Sequence, residues 1–292
     1  MPDMFFQNDA RSLLDGKYIL LIGDSNTLSL YKDIVCLLAR GTLLTQRENQ
    51  TKGELRFLGD RRTRFDDVGG SKNYFEDREY LLSQNNIKVE FISISRVNST
   101  AIHKKLRRIS KQPPDVVLYN STLSHLSRWR PKDKLLKKNL VNLMHCLKKK
   151  LLPSTLVIWL TAANPSSKEM HSGRIVKQNS FFKTYLHFDI LELNRYAAQI
   201  VDAHGFDVLD VHYYTRLMCP WGRPDGVHYS TLVVRYITNL TLAHIARAWN
   251  VSLSGRVECN NVKQEVMQMD DFKATPNDRV ECNNVTGGNA DG

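Results

Sequence analysis

Five short apolar runs, at residues 18–22, 87–94, 115–119, 155–160 and 206–211, constrain this chain more than any other feature. Runs of this length, apolar on both faces, suit strands buried in a parallel sheet. The stretches between them carry helical periodicity, over 27–39, 73–84, 101–110, 132–150 and 190–204, and a last helix at 231–249 follows the final strand. Strand and helix in alternation imply a single three-layer α/β/α domain with right-handed crossovers. In such sheets the functional groups collect at the carboxyl ends of the strands.

A length of 292 residues, 42% hydrophobic and 24% charged, excludes a wholly disordered or collagen-like chain. No apolar stretch reaches the roughly 18 residues a membrane helix needs. The longest, 151–163, is broken by Pro153. The first residues show no basic n-region or apolar h-region of a secretory signal. Five scattered cysteines without CxxC spacing argue against a disulfide framework or a zinc site. A reducing, cytoplasmic compartment is therefore expected, with nuclear entry open.

Charge divides the chain. The net charge is +11, yet from residue 251 onward four basic residues face seven acidic ones, leaving about +14 on the first 250. Residues 256–262 (RVECNNV) recur at 279–285, and the chain ends in Gly-Gly-Asn-Ala-Asp-Gly. Two copies without apolar periodicity do not make a solenoid. The expectation is a domain over 1–250 and a disordered tail over 251–292.

At the first strand end stands Gly23-Asp24-Ser25-Asn26, running straight into a helix. A serine there presents its hydroxyl above the sheet edge, near a helix N-terminus that favours developing negative charge. The plain structural alternative is that Asp24, Ser25 or Asn26 caps the helix. The third strand ends in Asn120, whose amide can donate to an oxyanion formed beside Ser25. A glycine loop, Gly69-Gly70, precedes the second helix and can expose a backbone N–H. The last loop holds Asp225 and His228, three apart, where a carboxylate can orient an imidazole. Taken singly, each is an ordinary turn or cap; the combination reads as a hydrolase-type site without cofactor or metal.

These residues resemble blocks I, II, III and V of the SGNH/GDSL hydrolases. The likeness extends to the PC-esterase domain-containing protein 1 family over roughly residues 10–250. It is carried by Gly23-Asp-Ser-Asn-Thr-Leu-Ser-Leu-Tyr-Lys-Asp-Ile, Lys52-Gly-Glu-Leu-Arg-Phe, Asn120-Ser-Thr-Leu-Ser-His-Leu-Ser-Arg-Trp and Asp225-Gly-Val-His. The chain departs from the family at Ser124-His125, where Trp-Asp is usual. The resemblance implies a flavodoxin-like sheet of five strands and hydrolysis or transfer of O-acyl esters. It implies Ser25 as nucleophile, His228 as base and Asp225 as its partner. The oxyanion hole would be the Ser25 N–H, Gly70 (or Gly69) and Asn120. The substrate would be an acylated small molecule or glycan.

The rival reading is a catalytically silent protein that keeps the fold for binding. Specific nucleic-acid recognition is not expected. The basic stretches 103–111 and 132–150 read as amphipathic helices, with Leu135, Leu136, Leu140, Leu143, Leu147 and Leu151 as the inner stripe of the second. Gly-Asp-Ser lacks the clustered His and Asp ligands of a bimetal phosphoesterase.

Overall fold

The computed structural model describes residues 4–67, 74–94, 96–109, 111–120, 133–165, 186–223 and 226–252. Its strands are β1 (Tyr18–Gly23), β2 (Arg61–Asp67), β3 (Tyr74–Leu82), β4 (Ile87–Ser93), β5 (Val116–Tyr119), β6 (Leu156–Leu160) and β7 (Asp207–Leu209). The helices are α1 (Gln7–Leu13), α2 (Ser25–Arg40), α3 (Gln46–Gln50), α4 (Thr100–Ile109), α5 (Asp133–Lys150), α6 (Leu186–Ala203), α7 (Val211–Thr215) and α8 (Thr231–Ala248).

All seven strands belong to one sheet, in the order β2-β3-β4-β1-β5-β6-β7. The five expected strands are its parallel part, pairing as β4-β1-β5-β6-β7. Numbered among themselves they run 2-1-3-4-5, the doubly wound order whose switch point lies between the first and third strands. That point is the gap between β1 and β5, where Ser25 and Asn120 emerge. A ligand-binding crevice is expected there from topology alone.

One face of the sheet is covered by α4, α5 and α6. Ile102, Leu106, Leu140, Leu143 and Leu193 pack there on Leu20, Ile22, Val117 and Trp159. On the other face α2 lies against β1 and β4, with α1 and α8 beside it. This is the α/β/α sandwich that the alternation implied. The inner stripe holds at Leu136, Leu140, Leu143 and Leu147 in α5 and at Leu151 just beyond it, but Leu135 points outward at 54% exposure.

The sequence reading fails at 73–84. The segment expected to be a helix is β3, which joins β2 in an antiparallel extension beyond β4. The reason lies in its buried residues, which are charged. Glu76 and Arg78 are fully buried and Tyr80 nearly so, a period-two face that carries no apolar signal. Arg78 makes this face possible by donating to both oxygens of Asp60, at 2.6 and 2.7 Å, to the Glu54 carbonyl at 2.9 Å, and to Glu76. The Tyr31 hydroxyl donates to Asp60 from α2 at 3.0 Å. Buried charges survive only when paired and hydrogen-bonded in this way.

Candidate active site

The junction after β1 is built on close approach. Gly23 ends the strand, and a Cβ placed on it would lie 2.0 Å from Thr27 Oγ1 and 2.5 Å from the Asn120 carbonyl oxygen. No other residue fits between β5 and the first turn of α2. The cap of α2 is Asp24, whose carboxylate accepts from the Asn26 N–H at 2.9 Å. With the cap supplied by Asp24, the Ser25 hydroxyl is left for other work. Ser25 is the first helical residue, so no carbonyl of its own helix can take its backbone N–H.

The imidazole arrives from the far end of the domain. A short 3₁₀ turn, Cys219–Trp221, leads into a narrow hairpin in which Gly222 bridges Tyr229. The Arg223 N–H donates to the His228 carbonyl at 2.7 Å, and the Ser230 N–H to the Trp221 carbonyl at 3.0 Å. Gly226 takes φ +73°, a left-handed conformation that glycine adopts without strain. His228 is only 6% exposed, and its Nε2 lies 2.8 Å from Ser25 Oγ. Serine and imidazole are thus in direct hydrogen-bond contact.

Two asparagines hold this hairpin. The Asn26 amide donates to the Val227 carbonyl at 3.2 Å, and the buried Asn49 amide to the Tyr229 carbonyl at 3.1 Å. The residues before and after His228 are therefore both fixed through their carbonyls, one from α2 and one from α3. Sequence reasoning missed both pins. Asn26 was visible only as a possible cap, and Asn49 lies in a short helix that no periodicity announces.

Asn120 follows β5, the strand beside β1. Its backbone N–H donates to the Ile22 carbonyl at 2.9 Å, and its side-chain amide reaches the Thr161 carbonyl at 3.4 Å. Thr161 is itself held by Asp210, its hydroxyl donating at 2.9 Å. Asp24, Asn26, Asn120 and Thr161 share one small crevice with Leu30, Ala163, Val234 and Ile237, so that polar and apolar side chains line it together. The structure therefore gathers Ser25, His228 and Asn120 at one edge. The other expected site residues, Gly69, Gly70 and Asp225, lie outside the described residues, as do Ser124 and His125.

With this geometry in hand, the relatives are informative. PC-esterase domain-containing protein 1A of Mus musculus is 33% identical over 254 residues, 85% of this chain and 56% of that protein. PC-esterase domain-containing protein 1B of Homo sapiens is 33% identical over 263 residues, 85% of this chain and 59% of that one. This chain is a homologue of the PC-esterase domain-containing 1 proteins. It spans little more than half the length of the curated relatives it matches. No protein-family model matches it. Among solved structures, a GDSL-like lipase from Bacteroides thetaiotaomicron superposes with a TM-score of 0.49 at 13% identity, covering 80% of this chain and 89% of that one. The acetylxylan esterase Axe2 of Geobacillus stearothermophilus gives 0.45 at 15% identity, over 84% and 99%. Likenesses this distant add nothing to what the PC-esterase homologues show. Among the described residues, no helix is long and apolar enough to cross a membrane.

Proposed function

We propose that this PC-esterase homologue is a serine-dependent acyl-ester hydrolase, or an O-acyltransferase, working through an acyl-enzyme on Ser25. The observation that carries the reading is the 2.8 Å contact between Ser25 Oγ and His228 Nε2. A serine hydroxyl is a poor nucleophile at neutral pH and needs an adjacent base to take its proton as it attacks. In this reading His228 accepts that proton while Ser25 Oγ bonds to the ester carbonyl carbon. The carbonyl oxygen becomes an oxyanion, met by the Ser25 N–H, by Asn120 and by Gly70 or Gly69. Collapse expels the alcohol, which takes the proton back from His228. A water, or the hydroxyl of an acceptor, then repeats the cycle on the acyl-enzyme, leaving carboxylic acid or a new ester. Asp225 holds the tautomer of His228 throughout. The substrate is an acylated small molecule or glycan.

An alkyl fluorophosphonate, which modifies only an activated serine, tests this directly. Wild-type protein should label, and Ser25→Ala should not. Hydrolysis of small activated acyl esters should disappear in Ser25→Ala and in His228→Ala. A wild-type protein that neither labels nor hydrolyses any ester across a broad panel is the silent binding protein instead.

A further inference from the structure

Beside the candidate site the protein exposes an apolar surface that the proposed chemistry does not use. Leu217 is 76% exposed, Leu232 60%, Trp221 55% and Tyr213 53%. The elements bearing them are tied together. Met218, between Leu217 and Trp221, packs on Tyr229, Val233 and Val234 at the start of α8. The Trp221 carbonyl accepts from the Ser230 N–H, two residues before Leu232. Tyr236, one turn beyond Leu232, lies within electrostatic reach of Tyr214 and Arg216. Tyr213 and Tyr214 meet edge to face at 5.6 Å, and the Arg216 guanidinium covers the Tyr213 ring at 3.7 Å.

Large apolar side chains left exposed on neighbouring elements point to an interaction surface, and their chemistry narrows the partner. Trp and Tyr with one apolar and one polar end are the residues of the membrane–water interface. Sugar rings stack on aromatic faces, but they offer nothing to the protruding aliphatic side chains of Leu217 and Leu232. Those gain only by leaving water for an apolar phase. Between Asp210 and Asp225 the sequence holds no acidic residue and two arginines, Arg216 and Arg223. Behind them stands a chain carrying about +14 over its first 250 residues. Apolar tips with arginines among them, on a basic body, fit a surface of anionic lipid headgroups.

We infer that the face formed by Tyr213, Leu217, Trp221 and Leu232 docks the protein onto anionic membranes, with Arg216 meeting the headgroups. The same face borders the hairpin that carries His228, because Trp221 leads into that hairpin. The inference does not depend on turnover at Ser25.

Flotation of the full chain with phosphatidylcholine vesicles, with and without phosphatidylserine, tests it. The wild type should float with the phosphatidylserine vesicles and less so as salt is raised. Leu217→Asp with Trp221→Asp should weaken that binding by roughly tenfold or more, since each loses the transfer of a large apolar side chain. Arg216→Gln should cost about fivefold, the worth of one basic residue near an anionic surface. Leu217, Trp221 and Arg216 are exposed, so the melting temperatures of their variants should stay at the wild-type value. If the aspartate pair melts early, Leu217→Ser with Trp221→Ser reads the same loss. The inference is overturned if the wild type floats with neither vesicle, which would leave the patch to a protein partner. It is equally overturned if it floats with both alike, or if the apolar double variant floats as the wild type does. Fluorophosphonate labelling of Ser25 is read separately, so failure here and failure of the esterase reading are distinct results.

Discussion

The first parallel strand and the third come together so closely that Gly23 has no room for a side chain beside the carbonyl of Asn120. A methyl group on Gly23 would stand 2.5 Å from that oxygen and 2.0 Å from the hydroxyl of Thr27. Both neighbours belong to the site's own framework, so strain introduced here falls on the residues that frame Ser25.

Gly23→Ala should therefore cost stability and geometry together. Overpacking of this kind typically costs about 1–3 kcal/mol. Adding Thr27→Ala relieves the hydroxyl contact and leaves the backbone one, so the double variant should recover only part of the loss. Urea unfolding of the three proteins measures it; a Gly23→Ala variant as stable as wild type would show that β1 and β5 can part freely.

Asn120→Ala separates the oxyanion role from the nucleophile. Loss of one oxyanion donor typically slows turnover by about 10²–10³. The variant should still label at Ser25, because the contact with His228 is untouched. Steady-state ester hydrolysis beside fluorophosphonate labelling checks both halves. Asp225→Asn, by comparison, should lose roughly 10⁴ in rate while folding normally, if the carboxylate sets the imidazole tautomer as in serine proteases.

The two asparagine pins make a different kind of prediction. Asn49→Ala leaves the Tyr229 carbonyl, now held at 3.1 Å, without its buried donor. Such a loss costs about 1–3 kcal/mol. Since Asn49 touches the hairpin and not the serine, it acts as a positioning residue for His228. The variant should lose kcat with little change in KM. Equal damage to both constants, or to neither, would remove that role.

Arg78→Met should destabilise the β2–β3 extension sharply. Asp60 and Glu76 would be left buried without their counter-charge, and breaking one side of a buried pair costs about 3–5 kcal/mol. Burial already pushes the Glu76 carboxyl above its ordinary range, and the guanidinium of Arg78 works against that push. Thermal melts of Arg78→Met, against an exposed control such as Arg61→Met, would give the comparison.

Acid should weaken the protein partly through Glu48. Its carboxylate accepts from Arg40 at 2.9 and 2.8 Å and from the Thr45 N–H at 2.8 Å, which lowers its pKa from 4.5 to about 2. A carboxylate held below its unfolded value stabilises the fold fully above that value, and the contribution is lost as pH falls through the folded one. The window therefore runs from about pH 5 down to about pH 2. Glu48→Gln should melt earlier than wild type at pH 7 and converge with it toward pH 2. Parallel melting curves across that range would deny Glu48 any part in acid sensitivity.

How much was readable beforehand depends on what kind of residue was buried. The buried positions of β1, β4, β5 and β6 are filled mostly by Val, Ile, Leu and aromatic side chains, so their position in the sheet shows in hydropathy. Ser25 was visible because it follows Gly23-Asp24 at a strand end that runs into a helix, and His228 because it stands three residues after Asp225. The face of β3 was invisible, because Arg78 is buried by virtue of partners 18 and 24 residues upstream, Asp60 and Glu54, and Glu76 by Arg78 and by the Gly53 N–H 23 residues upstream. Asn49 was invisible for a related reason. An asparagine that donates to a carbonyl 180 positions away leaves no local trace.

The antiparallel extension also settles what the ends of the sheet can do. A sheet offers its outermost strands to any passing chain with unpaired backbone groups. Here one outermost strand is β2, whose sequence RRTRFDD bears a charge at five of seven positions and whose register slips between Arg62 and Arg64. The other is β7, only three residues long. One end repels a neighbour and the other gives it almost nothing to grip, so the sheet of the described residues resists growth into fibrils.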